Sequence, residues 1–240
     1  MKIKWFNTIE STNSAMAAHR SMLSHKEVWA ARAQTAGRGQ RGNVWSSAAG
    51  ENLTFSIYLE PVHIPSAAQF AISEAIALGV CDYLQQKGVQ AAVKWPNDIY
   101  VLDSKICGIL IEHTTGSQML KSTIAGIGFN LNQLRFPDWV PNPVSLKALT
   151  GNSYVIDDEL EQLVQCIFNR YDNIGADTDA DYLESLYLKD VEHIFTVCSS
   201  GEPLPGRIRG VRPDGCLSIE TQSGEMRCFA FKEIAFQARH

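Results

Sequence analysis

No run of apolar residues approaches the ~18 that a membrane-crossing helix needs, so no membrane span is expected. The chain also opens without the charged start and apolar middle of a secretory leader. Basic residues are in deficit: 21 Lys and Arg against 26 Asp and Glu leave a formal charge of -5, and no Lys/Arg-rich block occurs. That argues against a protein built mainly to grip nucleic acid phosphates, and leaves a local basic pocket open. Six cysteines (Cys81, Cys107, Cys166, Cys198, Cys216, Cys228) include no Cys-x-x-Cys pair, which fits a reducing cytoplasm. There is no His-Glu-x-x-His, no Gly-x-Ser-x-Gly and no Walker A loop. The six histidines do not cluster at metal-ligand spacing; His19 and His113 read as structural or exposed, and metal-binding residues stay unknown. Repeats and low-complexity segments are missing too.

What is present suffices for an ordinary core. A chain of 240 residues, 45% hydrophobic and 20% charged, can form one large domain with a small appendage. Its centre of gravity is Lys94-Trp95-Pro96-Asn97-Asp98-Ile99-Tyr100-Val101 followed by Lys105-Ile106-Cys107-Gly108-Ile109-Leu110-Ile111-Glu112. Residues 91–94 and 99–102 are short apolar runs joined by turn chemistry, in which Pro96 removes a donor and pushes Trp95 towards extended backbone. Lys94 is thereby fixed at a strand end. Residues 105–112 have the length of a well-buried strand and open with a second lysine.

In chain order the pattern alternates strands and helices. Residues 3–6 read as a strand, and Ser11-Thr12-Asn13 as an N-cap cluster for a helix to about Ser24. Those hydroxyls can cap the helix or hold a polar ligand, capping being the commoner role. Residues 28–33 form the next strand, which empties into Gln34-Thr35-Ala36-Gly37-Arg38-Gly39-Gln40-Arg41-Gly42-Asn43-Val44-Trp45. The loop matches Gly-x-Gly-x-x-Gly literally. The dinucleotide fingerprint, however, needs a helix opening at the glycines, and here another strand follows. What remains is a basic, glycine-rich loop in which Arg38 and Arg41 suit phosphate or carboxylate and Trp45 can stack on a base. Residues 53–59 alternate as a core strand with one polar face. Pro65 is expected to open a long helix, stopped at Lys87-Gly88, whose apolar positions recur at helical spacing.

Residues 122–127 are strand-like and end in Gly126-Ile127-Gly128-Phe129-Asn130-Leu131-Asn132, where Asn130 offers a donor and an acceptor to an adenine edge or serves as an ordinary turn residue. A Pro-rich loop follows around residues 136–143. Asp157-Asp158 should cap a helix to about Ile174, and residues 180–188 a further helix. Beyond Lys189 the texture changes to short strands (194–198, 205–211, 216–220, 226–229) separated by Ser200-Gly201, Pro213-Asp214-Gly215 and Ser223-Gly224. This is a small β-barrel-like appendage of SH3 length, in which nothing looks catalytic.

QTAGRGQRG at 34–42 followed by Trp45, KWPNDI at 94–99, KICGILIE at 105–112 and GIGFN at 126–130 together resemble the biotin protein ligases, in order and in spacing. With Ser11-Thr12-Asn13 in front and the short-stranded tail behind, the resemblance covers essentially the whole chain. It implies an α+β fold: a mixed, mostly antiparallel sheet against helices, class II synthetase-like, over residues 1–188, with an SH3-like domain over 189–240. It also implies a two-step ligase using ATP, biotin and Mg²⁺, in which biotinyl-5'-AMP forms and the biotin passes to a lysine of a carboxyl-carrier protein. By resemblance Ser11, Thr12, Asn13, Gln34, Gly37, Arg38, Lys94 and Gly108 hold biotin. Arg38, Arg41, Trp45, Asn97, Lys94 and Asn130 hold the nucleotide, and Lys94, Arg38 and Arg41 neutralise the charge that builds around phosphorus. The loop 37–44 is expected to be mobile when empty and to close over the intermediate. Repressor-type members carry Arg where this chain has Gln40 and Asn43, and a DNA-binding module ahead of the catalytic domain. With Ser11 ten residues from Met1, no such module and no nucleic acid partner are expected here. A lipoate ligase on a related fold and a non-catalytic biotin- or AMP-binding module remain the alternatives, and the oligomeric state, a homodimer included, is left open.

Overall fold

Alternation with period two gives the central strands two chemically different faces, and the helices divide between them. The computed structural model describes residues 2–237, apart from the side chains of Arg41 and Ala176. The elements run β1 (Lys2–Ile9), α1 (Thr12–Ala18), β2 (Glu27–Gln34), β3 (Leu53–Leu59), α2 (Phe70–Gln86), β4 (Ala92–Lys94), β5 (Asp98–Val101), β6 (Ser104–Thr115), β7 (Leu120–Phe129), α3 (Leu146–Thr150), α4 (Ile156–Asp172) and α5 (Ala176–Glu184). The strands form one sheet of order β1-β2-β3-β7-β6-β5-β4. β1 pairs parallel with β2 and every other neighbour is antiparallel. A second, antiparallel sheet of order β11-β10-β9-β8-β12 is built from β8 (Glu192–Val197), β9 (Pro203–Val211), β10 (Leu217–Thr221), β11 (Met226–Phe229) and β12 (Ile234–Phe236). The fold is the expected mixed α+β, with a small β domain at its C-terminal end.

One sheet face, carrying Val28, Ala30, Phe55, Ile57, Ile109, Ile127 and Phe129, is sealed by α2 and α4. Each of the Val, Ile and Phe side chains contributes about 1.5–3 kcal/mol on burial. Tyr83 of α2 meets Phe129 edge-on at 5.4 Å and donates its hydroxyl hydrogen to Glu159 Oε2 of α4 at 2.6 Å. Lys87 pairs with the same carboxylate at 2.5 Å, so the two helices are joined by a satisfied buried polar contact. The other face of β2, β3 and β7 turns Trp29, Tyr58 and Ile124 towards Met16 of α1.

Several boundaries differ from the sequence expectations, each for a local reason. The polar face expected of residues 53–59 is present but not solvated: Thr54, Ser56 and Tyr58 are buried because α1 lies over them. The first helix stops at Ala18, where His19 leaves helical geometry, bonds Ala15 O and lies 5.6 Å from the Trp29 ring. Pro65 opens a 3-10 turn, and the α-helix proper starts at Phe70. Asp157 and Asp158 sit in the first turn of α4 rather than capping it, favourably placed for the helix dipole. The last helix ends at Glu184. Beyond it Leu186 bridges to Val93, Ser185 O accepts from Val93 N–H and Tyr187 N–H donates to Val93 O, which requires non-helical backbone and covers the edge of β4. α3 and β12 were not anticipated. Nor was the fact that Ser66–Gln86 is long and apolar enough, by length and composition, to cross a membrane. Ile72, Ala75, Ile76, Val80, Tyr83 and Leu84 of this stretch are fully covered by the sheet and α4, as in the core helix of a globular domain.

Glu74 of α2 is buried against Asp179 of α5, and desolvation, followed by the neighbouring carboxylate, pushes its pKa up to about 8. The folded chain therefore keeps a proton that the unfolded chain loses above the ordinary carboxylate value of 4.5. Stability falls as pH rises from about 4.5 to about 8, and the loss is complete above that range. Glu74→Gln should be more stable than the parent at pH 8.5 and indistinguishable from it near pH 4.5 in urea unfolding. A pH-independent difference would contradict this assignment.

Candidate active site

The α1-side face of the sheet changes character towards β6. Glycines alternate with apolar residues in the paired segments: Gly126 and Gly128 of β7, and Gly108 of β6, which stands directly opposite Gly128. Removing side chains along this strip opens a cleft of about 580 Å³ between the first sheet and the second. Trp45 fills part of it. A Cβ added to Gly128 would lie 2.2 Å from the indole Cε2, and one added to Gly108 would lie 3.0 Å from Cζ3, so the ring rests directly on backbone. The indole Nε1 is buried without a hydrogen-bond partner among the described residues, although such a donor usually finds one.

The loop that brings Trp45 here is not a helix start. Trp45 N–H donates to Gly37 O at 3.0 Å, Gly39 N–H to Asn43 O at 2.8 Å, and Arg38 bridges to Val44. The segment folds back on itself around a short 3-10 turn, Gln40–Gly42, consistent with rejecting the dinucleotide fingerprint.

One end of the cleft is neutral and polar. Ser11 caps α1 by accepting from Ser14 N–H at 3.4 Å. Gln34 Oε1 accepts from the backbone N–H and hydroxyl of Thr12 at 2.8 and 3.3 Å, and Ser56 Oγ donates either to Thr12 Oγ1 at 2.7 Å or to Asn13 Oδ1 at 2.5 Å. Asn13 Nδ2 reaches Leu110 O and Glu112 Oε2. Ser11, Thr12 and Asn13 are each 3% exposed and Ser56 is sealed, so these groups are held by one another rather than by solvent. The other end is charged. Lys105 Nζ pairs with Asp98 Oδ1 at 2.7 Å and lies 5.8 Å from the Trp45 ring centre. Arg38 stands instead at the edge of the α1 end: it forms a forked pair with Glu112, 2.8 Å at the shorter contact, and donates to Ser14 Oγ at 3.3 Å. Asn97 fixes the corner, exchanging bonds with Ile109 through its side-chain amide and its carbonyl, both at 2.9 Å.

A neutral hydrogen-bonding floor, an aromatic plate on a glycine strip and a charged rim form one continuous cleft. Residues 5–130 match the biotin/lipoate A/B protein ligase family. The chain belongs to that family. A bifunctional ligase/repressor of Salmonella typhimurium is 36% identical over 237 residues, covering 96% of this chain and 72% of its own length. A bifunctional ligase/repressor of Bacillus spizizenii is 29% identical over 203 residues, 82% of this chain; the chain spans 62% of that relative's length. In three dimensions the chain is similar to a biotin protein ligase from Aquifex aeolicus solved with biotin and ATP, with a TM-score of 0.81, 21% identity and 99% of each chain covered.

Within this ligase-family chain, the cleft lining includes Ser11, Thr12, Asn13, Gln34, Arg38, Trp45, Asn97 and Gly108. Gly37 lies behind, holding Trp45. Lys94 is not among the lining residues: its ammonium donates to the Tyr100 hydroxyl at 3.0 Å and lies over the rings of Tyr100 and Phe236, at 4.4 and 5.3 Å. Burial holds its pKa below the ordinary lysine value, partly offset by Asp98 and Asp103. Asn130 is also off the lining; its amide donates to Lys105 O and Val144 O and pins the following loop. The Arg41 side chain lies outside the described residues. Lys105 and the second sheet contribute to the cleft without a signal in the residue pattern. Lys105 opens the KICGILIE run, and its period-two relation to Cys107 carried no hint that the lysine would turn into the cleft. Cys198, Phe231, Lys232, Ile234, Ala235 and Phe236 form a wall of the cleft, so the tail is part of the site and not a bystander.

Gly128→Ala should expel the Trp45 ring, because the new methyl has only aromatic carbons to move and lies on rigid sheet. The fluorescence emission should shift to the red, and the shift should vanish when Gly128→Ala is made in a Trp45→Phe background. An unshifted spectrum would place the ring elsewhere.

Proposed function

We propose that this chain is a biotin protein ligase. The observation that carries the reading is the order of the cleft: neutral hydroxyl and amide groups at the Ser11, Thr12, Gln34 and Ser56 end, the Trp45 plate in the middle, and the Lys105 and Asp98 rim beyond. A ureido ring offers N–H donors and a carbonyl acceptor without charge, and is oriented best by neutral partners of both kinds. The dithiolane ring of lipoate has no matching groups, which favours biotin within a family that takes either. The strip of Gly108 and Gly128 seats the Trp45 ring flush on the backbone, which leaves the ring's other face for a planar base or the ligand chain.

In the first step a biotin carboxylate oxygen attacks the α-phosphorus of ATP. The new C(=O)–O–P bond forms as the bond to the β-phosphate oxygen breaks, and that electron pair leaves on pyrophosphate. No proton changes place, so the chain's task is to bring two anions together. Lys105, exposed to the cleft and held by Asp98, takes the role first expected of Lys94. Arg38, fixed by Glu112 and Ser14 at the α1 end, supplies a second positive charge to the cleft. In the second step the neutral amine of a carrier lysine attacks the acyl carbon, AMP leaves, and the amine proton passes to solvent. Lys94 keeps a different task, tying β12 to the β4–β5 hairpin through Phe236.

No three His, Cys, Asp or Glu side chains gather as metal ligands among the described residues. Mg²⁺ commonly binds through substrate phosphates and one or two carboxylates, so it needs no such cage, and Asp98 is the carboxylate on the lining. The carrier domain is the macromolecular partner in this reading, with no nucleic acid, and the six free cysteines suit a cytoplasmic setting. In this reading residues 1–188 form the catalytic domain and 189–240 the SH3-like domain, with the cleft between them.

The direct test is the intact mass of a biotin carboxyl-carrier domain incubated with the protein, ATP and either biotin or lipoate. One biotinyl group on one lysine is expected and no lipoyl group; lipoylation would select the other branch of the family, and no adduct a non-catalytic module. Lys105→Met should slow biotin-dependent ATP–pyrophosphate exchange by roughly a hundredfold, the ~3 kcal/mol worth of one preorganised electrostatic group. Biotin affinity by calorimetry should change little. Lys94→Met should cost less than tenfold in exchange and appear chiefly as lost stability. A larger loss in Lys94→Met than in Lys105→Met would reverse the assignment.

A further inference from the structure

Three described basic side chains line the cleft: Arg38, Lys105 and Lys232. The first two are matched by carboxylates, Glu112 and Asp98. Lys232 has no ion pair or hydrogen bond from its side chain among the described residues, and it is exposed. Its backbone is also unusual. At φ 73° it lies in the left-handed region that a lysine rarely occupies, because its Cβ crowds the following carbonyl.

The turn that holds it there is closed from several sides. Glu233 N–H donates to Ala230 O at 3.0 Å, and Glu233 Oε2 accepts from Ala230 N–H at 2.8 Å, so the adjacent carboxylate is committed to the turn. Cys198 N–H donates to Glu233 O, and the Phe231 ring meets Trp95 edge-on at 6.3 Å. The turn is thus packed against Trp95, and Lys232 at its tip lines the same cleft as Asn97, Asp98 and Lys105.

We propose that Lys232 is a substrate-contacting residue of the second sheet that neutralises the β- and γ-phosphates of the nucleotide and the pyrophosphate formed from them. This rests on the ligase reading and deepens it. The ureido floor lies at the α1 end and Lys105 beside Trp45, so the phosphate chain extends along the rim towards the second sheet. As the α-phosphorus leaves the β-phosphate oxygen, negative charge grows on the departing pyrophosphate, and a cation lacking its own counter-ion acts on it most strongly. A glycine would occupy the turn without strain, and lysine gives up that ease for a charge over the cleft.

The test compares Lys232→Gly, Lys232→Gln and Lys232→Arg with the parent in biotin-dependent ATP–pyrophosphate exchange. For Gly and Gln the KM for ATP should rise at least tenfold, with the KM for biotin within twofold, and Arg should restore most of the loss. Lys232→Gly should also melt at a higher temperature, separating lost charge from lost fold. Transfer from chemically prepared biotinyl-5'-AMP to the carrier should be unaffected, since the pyrophosphate has already gone. Calorimetric titration with inorganic pyrophosphate reads the same residue without turnover, and affinity at least fivefold weaker in Lys232→Gly is expected. A Gly variant with unchanged KM for ATP and unchanged pyrophosphate affinity overturns the assignment. Absence of biotin-dependent exchange in the parent protein overturns the ligase reading alone.

Discussion

The close seating of the Trp45 indole on bare backbone at Gly108 and Gly128 is the constraint on which the site depends. A side chain at either position would lift the ring and close the strip between the neutral floor and the charged rim. The seating itself depends on the loop 37–45 folding back through the bonds between Trp45 and Gly37 and between Gly39 and Asn43. It also depends on β6 and β7 pairing in a register that sets Gly108 opposite Gly128. A slip of one residue would exchange the two faces of a strand and turn the glycines into the core. The apolar face under α2 and α4 fixes that register, so the core and the cleft are two consequences of one alternation.

The same alternation explains how so polar a floor is tolerated. Thr12, Asn13 and Ser56 are withdrawn from water yet bonded to one another and to the half-buried Gln34, and an unpaired buried member would cost about 1–3 kcal/mol. Short α1 serves this arrangement. Its first turn delivers Ser11, Thr12 and Asn13 to the sheet, Met16 fills the satellite core with Trp29 and Tyr58, and the chain then leaves the helix at His19. The second sheet completes the cleft from the opposite side through Phe231, Ile234 and Phe236, with the half-buried ammonium of Lys94 sandwiched between Tyr100 and Phe236 as part of the join.

Much of this was legible from residue patterns. The strands expected at 28–33, 53–59 and 122–127 are present, the first and last running slightly longer, the glycine loop was correctly denied a helix, and the short-stranded texture after Lys189 marked the second sheet. Motif residues Ser11, Thr12, Gln34, Arg38, Trp45 and Gly108 do share one cleft. The choice between Lys94 and Lys105 was not legible, because both stand at strand ends beside apolar runs. Only the turn of the β4–β5 hairpin decides which ammonium meets the cleft and which meets aromatic rings. The role of the tail was hidden for a related reason: Lys232 lies about 130 residues from Lys105 in sequence, and nothing local announces that a turn between β11 and β12 closes a wall.

Hydrogen exchange of the backbone amides with a non-hydrolysable mimic of biotinyl-5'-AMP measures the central claim most directly, since floor, plate and rim should be covered by one ligand. Protection is predicted at residues 11–14, 37–45, 105–110 and 126–128, and at the 230–236 turn, in a single saturable event. Protection confined to one sheet, or absent from the glycine strip while the mimic is bound, would contradict the account.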